Sequence, residues 1–288
     1  MSRVIALMTD FGNTDIYTGV IKAVIHRICP QANLIDITHS IQPHHVRQAA
    51  FALLDAYRYF ADGTIFLVVV DPSVGTTRRP IAARAGDYIF VAPDNGILTY
   101  VLAEFDNVEA VELASKDHQL PEVSNTFHAR DIFAPAAAHM AAGAALEDFG
   151  PYIDSIFTLP VPSFDIVDRR ILGEVMHVDQ FGNIVTSIGQ FQWMTTEKLT
   201  LNPRFGADRE RLIPIPAADV TVTVHDTPIK TILPAYGEAP RGHLLALIGS
   251  NGHLEIAINQ GNAASRLDVR IGDRVELQIG VTDAAVRD

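Results

Sequence analysis

Four short polar clusters in this 288-residue chain hold the side chains able to do acid–base or charge chemistry. Asn125-Thr126-Phe127-His128-Ala129-Arg130-Asp131 places a histidine, an arginine and a carboxylate within four residues, just before an Ala-rich stretch. A loop histidine ahead of a helix is well placed to titrate and to move a proton. Asp71 opens Asp71-Pro72-Ser73-Val74-Gly75-Thr76-Thr77-Arg78-Arg79, directly behind a β-branched run. Asp10 and Asp15 lie within Thr9-Asp10-Phe11-Gly12-Asn13-Thr14-Asp15, and Asp94-Asn95-Gly96 is the fourth cluster. Such residues also cap helices and shape turns, which is the simpler reading for Asp94 and for Asp131 with Arg130 as its ion partner. Asp10 and Asp71 read as functional, because each follows a run that should be buried and so aims at one edge.

Other chemistries find little support. His39, His44 and His45 lie close together, but their spacing is not that of a zinc site, and no cysteine pair accompanies them. His44-His45 reads as the solvated start of a helix. Neither G-x-G-x-x-G nor G-x-x-x-x-G-K-[ST] occurs, so dinucleotide and P-loop readings are weak. In the second half, Asp179-Gln180-Phe181-Gly182-Asn183, Gly249-Ser250-Asn251-Gly252-His253-Leu254-Glu255 and Asn259-Gln260-Gly261-Asn262-Ala263-Ala264 read as hairpin turns. Phe181, an aromatic in a turn, offers a face on which a ring can stack.

The elements that must position these residues follow from periodicity. Residues 4–9, 34–38 and 65–70 are apolar, strand-like runs, and 17–28 and 46–60 carry helical spacing. Strands at 88–91 and 108–113, a helix near 98–105 and an Ala-rich helix over 132–143 complete the first half. Strands alternating with helices imply a mostly parallel sheet covered on both faces. After Leu159-Pro160-Val161-Pro162-Ser163 the helical patterns fade, and 171–178, 220–224, 244–248, 254–258 and 275–279 read as strands. The fold class is therefore α/β: an N-terminal α/β domain over residues 1–160, a linker over 161–170, and a smaller C-terminal all-β, barrel-like domain over 171–288.

Bulk composition narrows the partners. With 22 Lys and Arg against 34 Asp and Glu the formal net charge is −12, which argues against nucleic acid or an anionic membrane surface. At 48% hydrophobic and 19% charged residues, the chain is a packed globular protein. Its single cysteine, Cys29, allows no intrachain disulfide and suits a reducing compartment. The apolar stretch near the N-terminus is too short for a signal peptide, and no run approaches a membrane span. A soluble, cytoplasmic protein is expected.

Taken together, the motifs resemble those of the S-adenosyl-L-methionine hydroxide adenosyltransferase family, relatives of fluorinating and chlorinating enzymes. The matching blocks are T-D-F-G-x-x-D-x-Y-x-G at 9–19, V-D-P-x-V-G-T at 70–76, A-P-D-N-G at 92–96, T-F-H-x-R-D-I-F-A-P at 126–135, D-x-F-G-N at 179–183 and N-Q-G-N-A-A at 259–264. They stand in family order and span nearly the whole chain. The resemblance implies hydrolysis of S-adenosyl-L-methionine to adenosine and L-methionine, a homotrimer, and ligand held between neighbouring subunits. It implies a catalytic Asp-Arg-His set at Asp71, Arg78 and His128, which the halogenating relatives lack. Asp10 matches a ribose-binding carboxylate; Asp15, Asp179 and Ser250 match positions around the methionine moiety; Asn183 matches an adenine contact. Phe11, Phe181, Asn251 and Glu255 complete the substrate-binding set that it implies.

The sequence departs from the family pattern at a few places. Ser73 stands where the family usually has Gly, and Ala129 replaces the Gly of H-G-R-D. Both add bulk beside the catalytic loops and would strain a backbone that needed positive φ. Asn251 follows Ser250 where halogenating relatives carry Arg, and Ser187 replaces a common Asn.

The implied chemistry is economical. A sulfonium leaves as a neutral thioether, so the site must supply a positioned, partly desolvated water in line with carbon 5′ and sulfur. His128 and Asp71 would orient or deprotonate that water while Arg78 lowers its pKa, with no metal or other cofactor required. Two rivals stand beside this reading: a halide-dependent transferase of chlorinase type, and a non-catalytic sensor of adenosine or S-adenosyl-L-methionine.

Overall fold

The computed structural model describes residues 3–207, 209 and 211–280. The chain divides into two compact units, with the boundary between Leu159 and Pro160.

The first unit contains β1 (Val4–Thr9), α1 (Tyr17–Ile28), β2 (Asn33–Thr38), α2 (Val46–Ala56), β3 (Ile65–Val69), β4 (Pro80–Ala85), β5 (Tyr88–Pro93), α3 (Thr99–Leu102), β6 (Val108–Glu112) and α4 (Ala134–Ala142). Its six-stranded sheet has the order β2-β1-β3-β5-β4-β6. The pairs β1–β2, β1–β3 and β3–β5 are parallel, and β4 runs antiparallel to both β5 and β6. The period-2 alternation of strand side chains sorts the apolar residues onto two faces. Ile5, Leu7, Ile65 and Leu67 pack with Ile21 and Ile25 of α1 and the small Ala136 to Ala138 of α4. Ala6, Met8, Phe66 and Val68 face Ala49 and Leu53 of α2 on the other side.

Strand β4 is absent from the periodicity reading because Pro-Ile-Ala-Ala-Arg-Ala has weak β-propensity. It is a strand because its backbone pairs on both sides, with β5 and β6. The helix expected near 98–105 is a single turn, after which Phe105 packs against Tyr57 and Tyr88. Residues 129–133, between the His128 loop and α4, form a π-helical turn.

The second unit consists of β7 (Phe164–Val167), β8 (Arg170–Val178), β9 (Ile184–Gly189), β10 (Phe191–Trp193), β11 (Lys198–Leu201), β12 (Ile213–Pro216), β13 (Val220–Val224), β14 (Thr227–Lys230), β15 (Ile232–Leu233), β16 (Leu244–Ile248), β17 (His253–Ile258), the short helix α5 (Ala263–Leu267) and β18 (Arg274–Ile279). A barrel-like sheet has the order β14-β13-β18-β8-β9-β17-β16-β15, with β7 also paired to β8. β10, β11 and β12 form a separate three-stranded sheet. Residues 161–170, read from composition as a linker, thus contain β7, which turns into β8 through Asp168 at φ 57°. Within Asn259 to Ala264, Asn259 and Gln260 form a tight turn closed by the antiparallel Ile258–Gly261 bridge, and the rest starts a helix: Asn262 caps α5 by accepting from Ser265 N–H at 2.7 Å.

Candidate functional site

The order β2-β1-β3 places a topological switch between β1 and β3: the chain leaves β1 for β2 on one side, then crosses to β3 on the other. Ligands of open parallel sheets bind beyond the carboxyl ends of the strands at such a point. Asp10 follows β1 and Asp71 lies just beyond β3, so both carboxylates stand on that edge. A cavity of about 280 Å³ opens there, and Asp10, Phe11, Asp71 and His128 line it. Tyr17, His44 and Phe127 line it as well; none of these was singled out as a site residue in the sequence. Tyr17 opens α1 inside the first quoted block, and Phe127 precedes His128, so sequence adjacency was the one available signal.

Arg78 binds two of the polar groups that line this cavity. Its Nε donates to Asp71 Oδ1 and Oδ2 at 3.1 and 3.0 Å, and its Nη2 donates to Oδ2 as well. The Asp71 and Arg78 side chains are only 6% and 7% exposed, so this ion pair is shielded from bulk solvent. Nη2 also lies 2.8 Å from His128 Nδ1. A guanidinium has no acceptor, so Nδ1 accepts and the neutral imidazole carries its proton on Nε2. Burial pushes the His128 pKa below its ordinary value and the Arg78 charge pushes it further, opposed by Asp71 and Asp131. The Phe133 ring faces the guanidinium, its centroid 5.2 Å from Cζ.

Several contacts bring these groups together. Gly75, at φ +78°, presses against the Asn125 carbonyl, where an added Cβ would stand 2.3 Å from the oxygen. That close approach seats the 71–78 loop on the 124–128 loop. Asp131 is fully buried; it accepts from Ser124 N–H at 2.8 Å and pairs with Arg130 at 2.5 Å, which folds the loop carrying His128. Asn95 Nδ2 donates to the Val70 carbonyl at 2.9 Å, pinning the residue before Asp71. Asp94 pairs with Arg79 and accepts from Phe157 N–H at 2.7 Å, a tether for the segment around 157. Ser73 and Ala129 lie outside the positive-φ positions, so neither is strained as a replacement for glycine. Ser73 Oγ donates to Asp71 Oδ1 at 3.3 Å.

Around Asp10 the wall is aromatic. Phe11, Tyr17 and Phe127 form a mutually tilted trio with ring centroids 5.2 to 6.0 Å apart. Asp10 Oδ2 accepts from His44 N–H at 2.9 Å, and His44 stands exposed at the rim at φ 68°. Asp15 is exposed and is not among the residues lining the cavity.

In the second unit, the turn between β8 and β9 is built by Asp179. Its Oδ1 accepts from the N–H groups of Phe181 and Asn183 at 2.8 and 2.9 Å, and its Oδ2 from Asn183 Nδ2 at 2.9 Å. Phe181 is left 67% exposed, with its ring free to stack. Ser250 and Asn251 are exposed at the tip of the β16–β17 turn. The Glu255 carboxylate fills the space beside Gly249, where a Cβ would fall 1.7 Å from Oε1. Tyr236 donates to Glu255 Oε2 at 2.9 Å; burial first, then this bond, pushes the phenol pKa up. Tyr236 opens a short 3-10 turn over Tyr236–Glu238, which no apolar periodicity marks.

Among the described residues, no group of three or more His, Cys, Asp or Glu side chains is arranged to hold a metal ion. No helix among them is long and apolar enough to cross a membrane.

Models of the SAM hydroxide adenosyltransferase N-terminal and C-terminal domains match residues 5–150 and 173–276. The chain is 36% identical over 279 residues to the (R)-S-adenosyl-L-methionine hydrolase of Salinispora tropica, covering 96% of this chain and 98% of that protein. It is 33% identical over 285 residues to the protein of the same name from Thermus thermophilus, covering 96% and 99%. A crystal structure of an uncharacterized conserved protein from Thermotoga maritima superposes with a TM-score of 0.83 at 38% identity, covering 95% of this chain and 99% of that one.

Proposed function

The chain belongs to the SAM hydroxide adenosyltransferase family, and from that premise we propose that it hydrolyses S-adenosyl-L-methionine to adenosine and L-methionine. The observation that carries the mechanism is the Arg78 bridge between Asp71 and His128 at the cavity wall. With its proton on Nε2, His128 donates to a water oxygen, and Asp71 accepts one of the water's protons. The remaining lone pair attacks carbon 5′. The carbon–sulfur bond breaks, its electron pair stays on sulfur as the neutral thioether of methionine, and the water proton leaves through Asp71. Arg78 stabilises negative charge as it grows on the attacking oxygen. His128 is thus a donor and orienter, and Asp71 the base.

Asp10 is the ribose-binding carboxylate in this reading, with Phe11 beside it. Asp15, Asp179, Ser250 and Asn251 serve the methionine end. Asn183, Phe181 and Glu255 serve the adenine end, Phe181 by stacking its exposed ring. Asp179 acts in part through the turn it builds, which orients Phe181 and Asn183. The relatives are named for the R epimer at sulfur, and the same preference is part of the proposal. So is a homotrimer with sites at subunit interfaces, supported by Ile16 and Tyr17, 76% and 46% exposed next to the cavity. A cytoplasmic location accords with Cys29, the lone cysteine, being buried.

The test is incubation with separated epimers of S-adenosyl-L-methionine in ¹⁸O-water, with and without chloride or fluoride. Label in the adenosine 5′ hydroxyl is the expected result. A 5′-halo-adenosine would instead make the chain a halide transferase, and tight binding without release of methionine would make it a sensor.

A further inference from the structure

Beyond Thr9 the chain turns through Asp10, Phe11 and Gly12, and this turn supplies the wall of the cavity at the end of β1. The turn is held from beneath by a polar group with no place in the reaction. Thr9 is fully buried; its Oγ1 accepts from Phe11 N–H at 3.3 Å and lies 2.8 Å from Nδ1 of His39. His39, 3% exposed and just beyond β2, also accepts from Gly12 N–H at its carbonyl, at 2.8 Å. On the far side of the ring, Asp36 Oδ1 stands 3.1 Å from Nε2, and Lys22 of α1 pairs with Oδ2 of the same carboxylate at 2.6 Å. Nε2 makes no aligned hydrogen bond, so Asp36 acts on it through charge. An anion there favours the proton on Nε2 and leaves Nδ1 bare. The Thr9 hydroxyl therefore donates to His39 and keeps a lone pair for Phe11.

We propose that Thr9 and His39 are positioning residues: their hydrogen bond locks the 10–12 turn so that the Asp10 carboxylate and Phe11 ring face the substrate. The inference rests on the reading that this cavity takes S-adenosyl-L-methionine. A buried Thr–His pair could otherwise serve stability alone, in which case removing it would lower the melting temperature and leave substrate affinity untouched.

Thr9→Val keeps the shape and removes the donor and the acceptor; Thr9→Ser keeps both. His39→Asn retains a short polar group in the place of Nδ1. Steady-state kinetics with S-adenosyl-L-methionine and amide hydrogen exchange over residues 8–13 are measured for each. Thr9→Val is expected to raise KM roughly three- to tenfold, with kcat changed less than about twofold, and to speed exchange at Phe11 and Gly12 by about tenfold. Thr9→Ser should restore both readouts, and His39→Asn should fall between. An unchanged KM in Thr9→Val overturns the proposal whether or not exchange speeds up, and so does a changed KM with unchanged exchange. If the unmodified protein releases no adenosine, the functional reading fails by itself. Exchange then decides alone: turn amides that stay protected in Thr9→Val overturn the lock.

Discussion

Arg78 Nη2 donates to His128 Nδ1 over 2.8 Å, and this one contact fixes where the imidazole proton sits. An Nε2–H histidine donates to the attacking water and does not remove its proton. The same guanidinium pairs with Asp71, the remaining base of the set. Arg78 therefore sets the division of labour between its two neighbours.

Activity should need neutral His128, because protonating Nδ1 removes the acceptor for Arg78 and sets a second cation beside it. Burial and the Arg78 charge both hold its pKa below the ordinary 6.5, so the acid limb of kcat should lie below that value. Arg78→Gln should move the limb upward by only part of the depression, since burial, the larger cause, remains. A pH–rate profile from pH 4.5 to 8 with an acid limb above 6.5 in the unmodified protein contradicts the assignment.

Asp71→Asn should lower kcat by at least about 10²-fold, the scale for a lost base. His128→Gln keeps a donor amide and should lose less, whereas His128→Ala should lose about as much as Asp71→Asn. Single-turnover assays separate these from binding defects. Equal losses in His128→Gln and His128→Ala would assign the histidine a base role instead.

Gly75→Ala should damage the site and the fold together. It forces a side chain into positive φ and sets a Cβ 2.3 Å from the Asn125 carbonyl oxygen. The backbone strain alone is about 1–3 kcal/mol, and relieving the clash separates the loop of Asp71 and Arg78 from that of His128. Denaturant unfolding and kcat should fall in parallel; an unaffected kcat would show that this loop contact is dispensable.

Stability should decline in mild acid. His128 and His139 both have pKa values lowered first by burial, His139 further by His118. The unfolded chain then binds more protons than the folded one just below the ordinary histidine value. The contribution of both groups is intact above about pH 6.5 and is lost as pH falls through their folded values. Melting temperatures from pH 7.5 down to 5 should show the drop, and His139→Gln should flatten it. An identical slope in that variant would place the effect elsewhere.

Much of the first unit is legible in the order of its residues. Alternating apolar runs and helical spacing specified the α/β unit, because a strand buried on both faces reads as an unbroken apolar run and Asp10 and Asp71 follow two of them. The ordered motifs point to the family. Tertiary structure decided the rest. β4 is a strand through pairing on both edges, although its alanines favour no such thing. Asp71, Arg78 and His128 form one hydrogen-bonded set only because Gly75 lets one loop rest on another, a contact between residues 50 apart that no local pattern encodes. Thr9 and His39 meet for the same reason: β1 and β2 lie side by side, and the parallel register brings their ends together. Sequence spacing fixes what a segment becomes, while the partner of a buried polar atom depends on packing between segments, and it is those partners that set proton positions in the site.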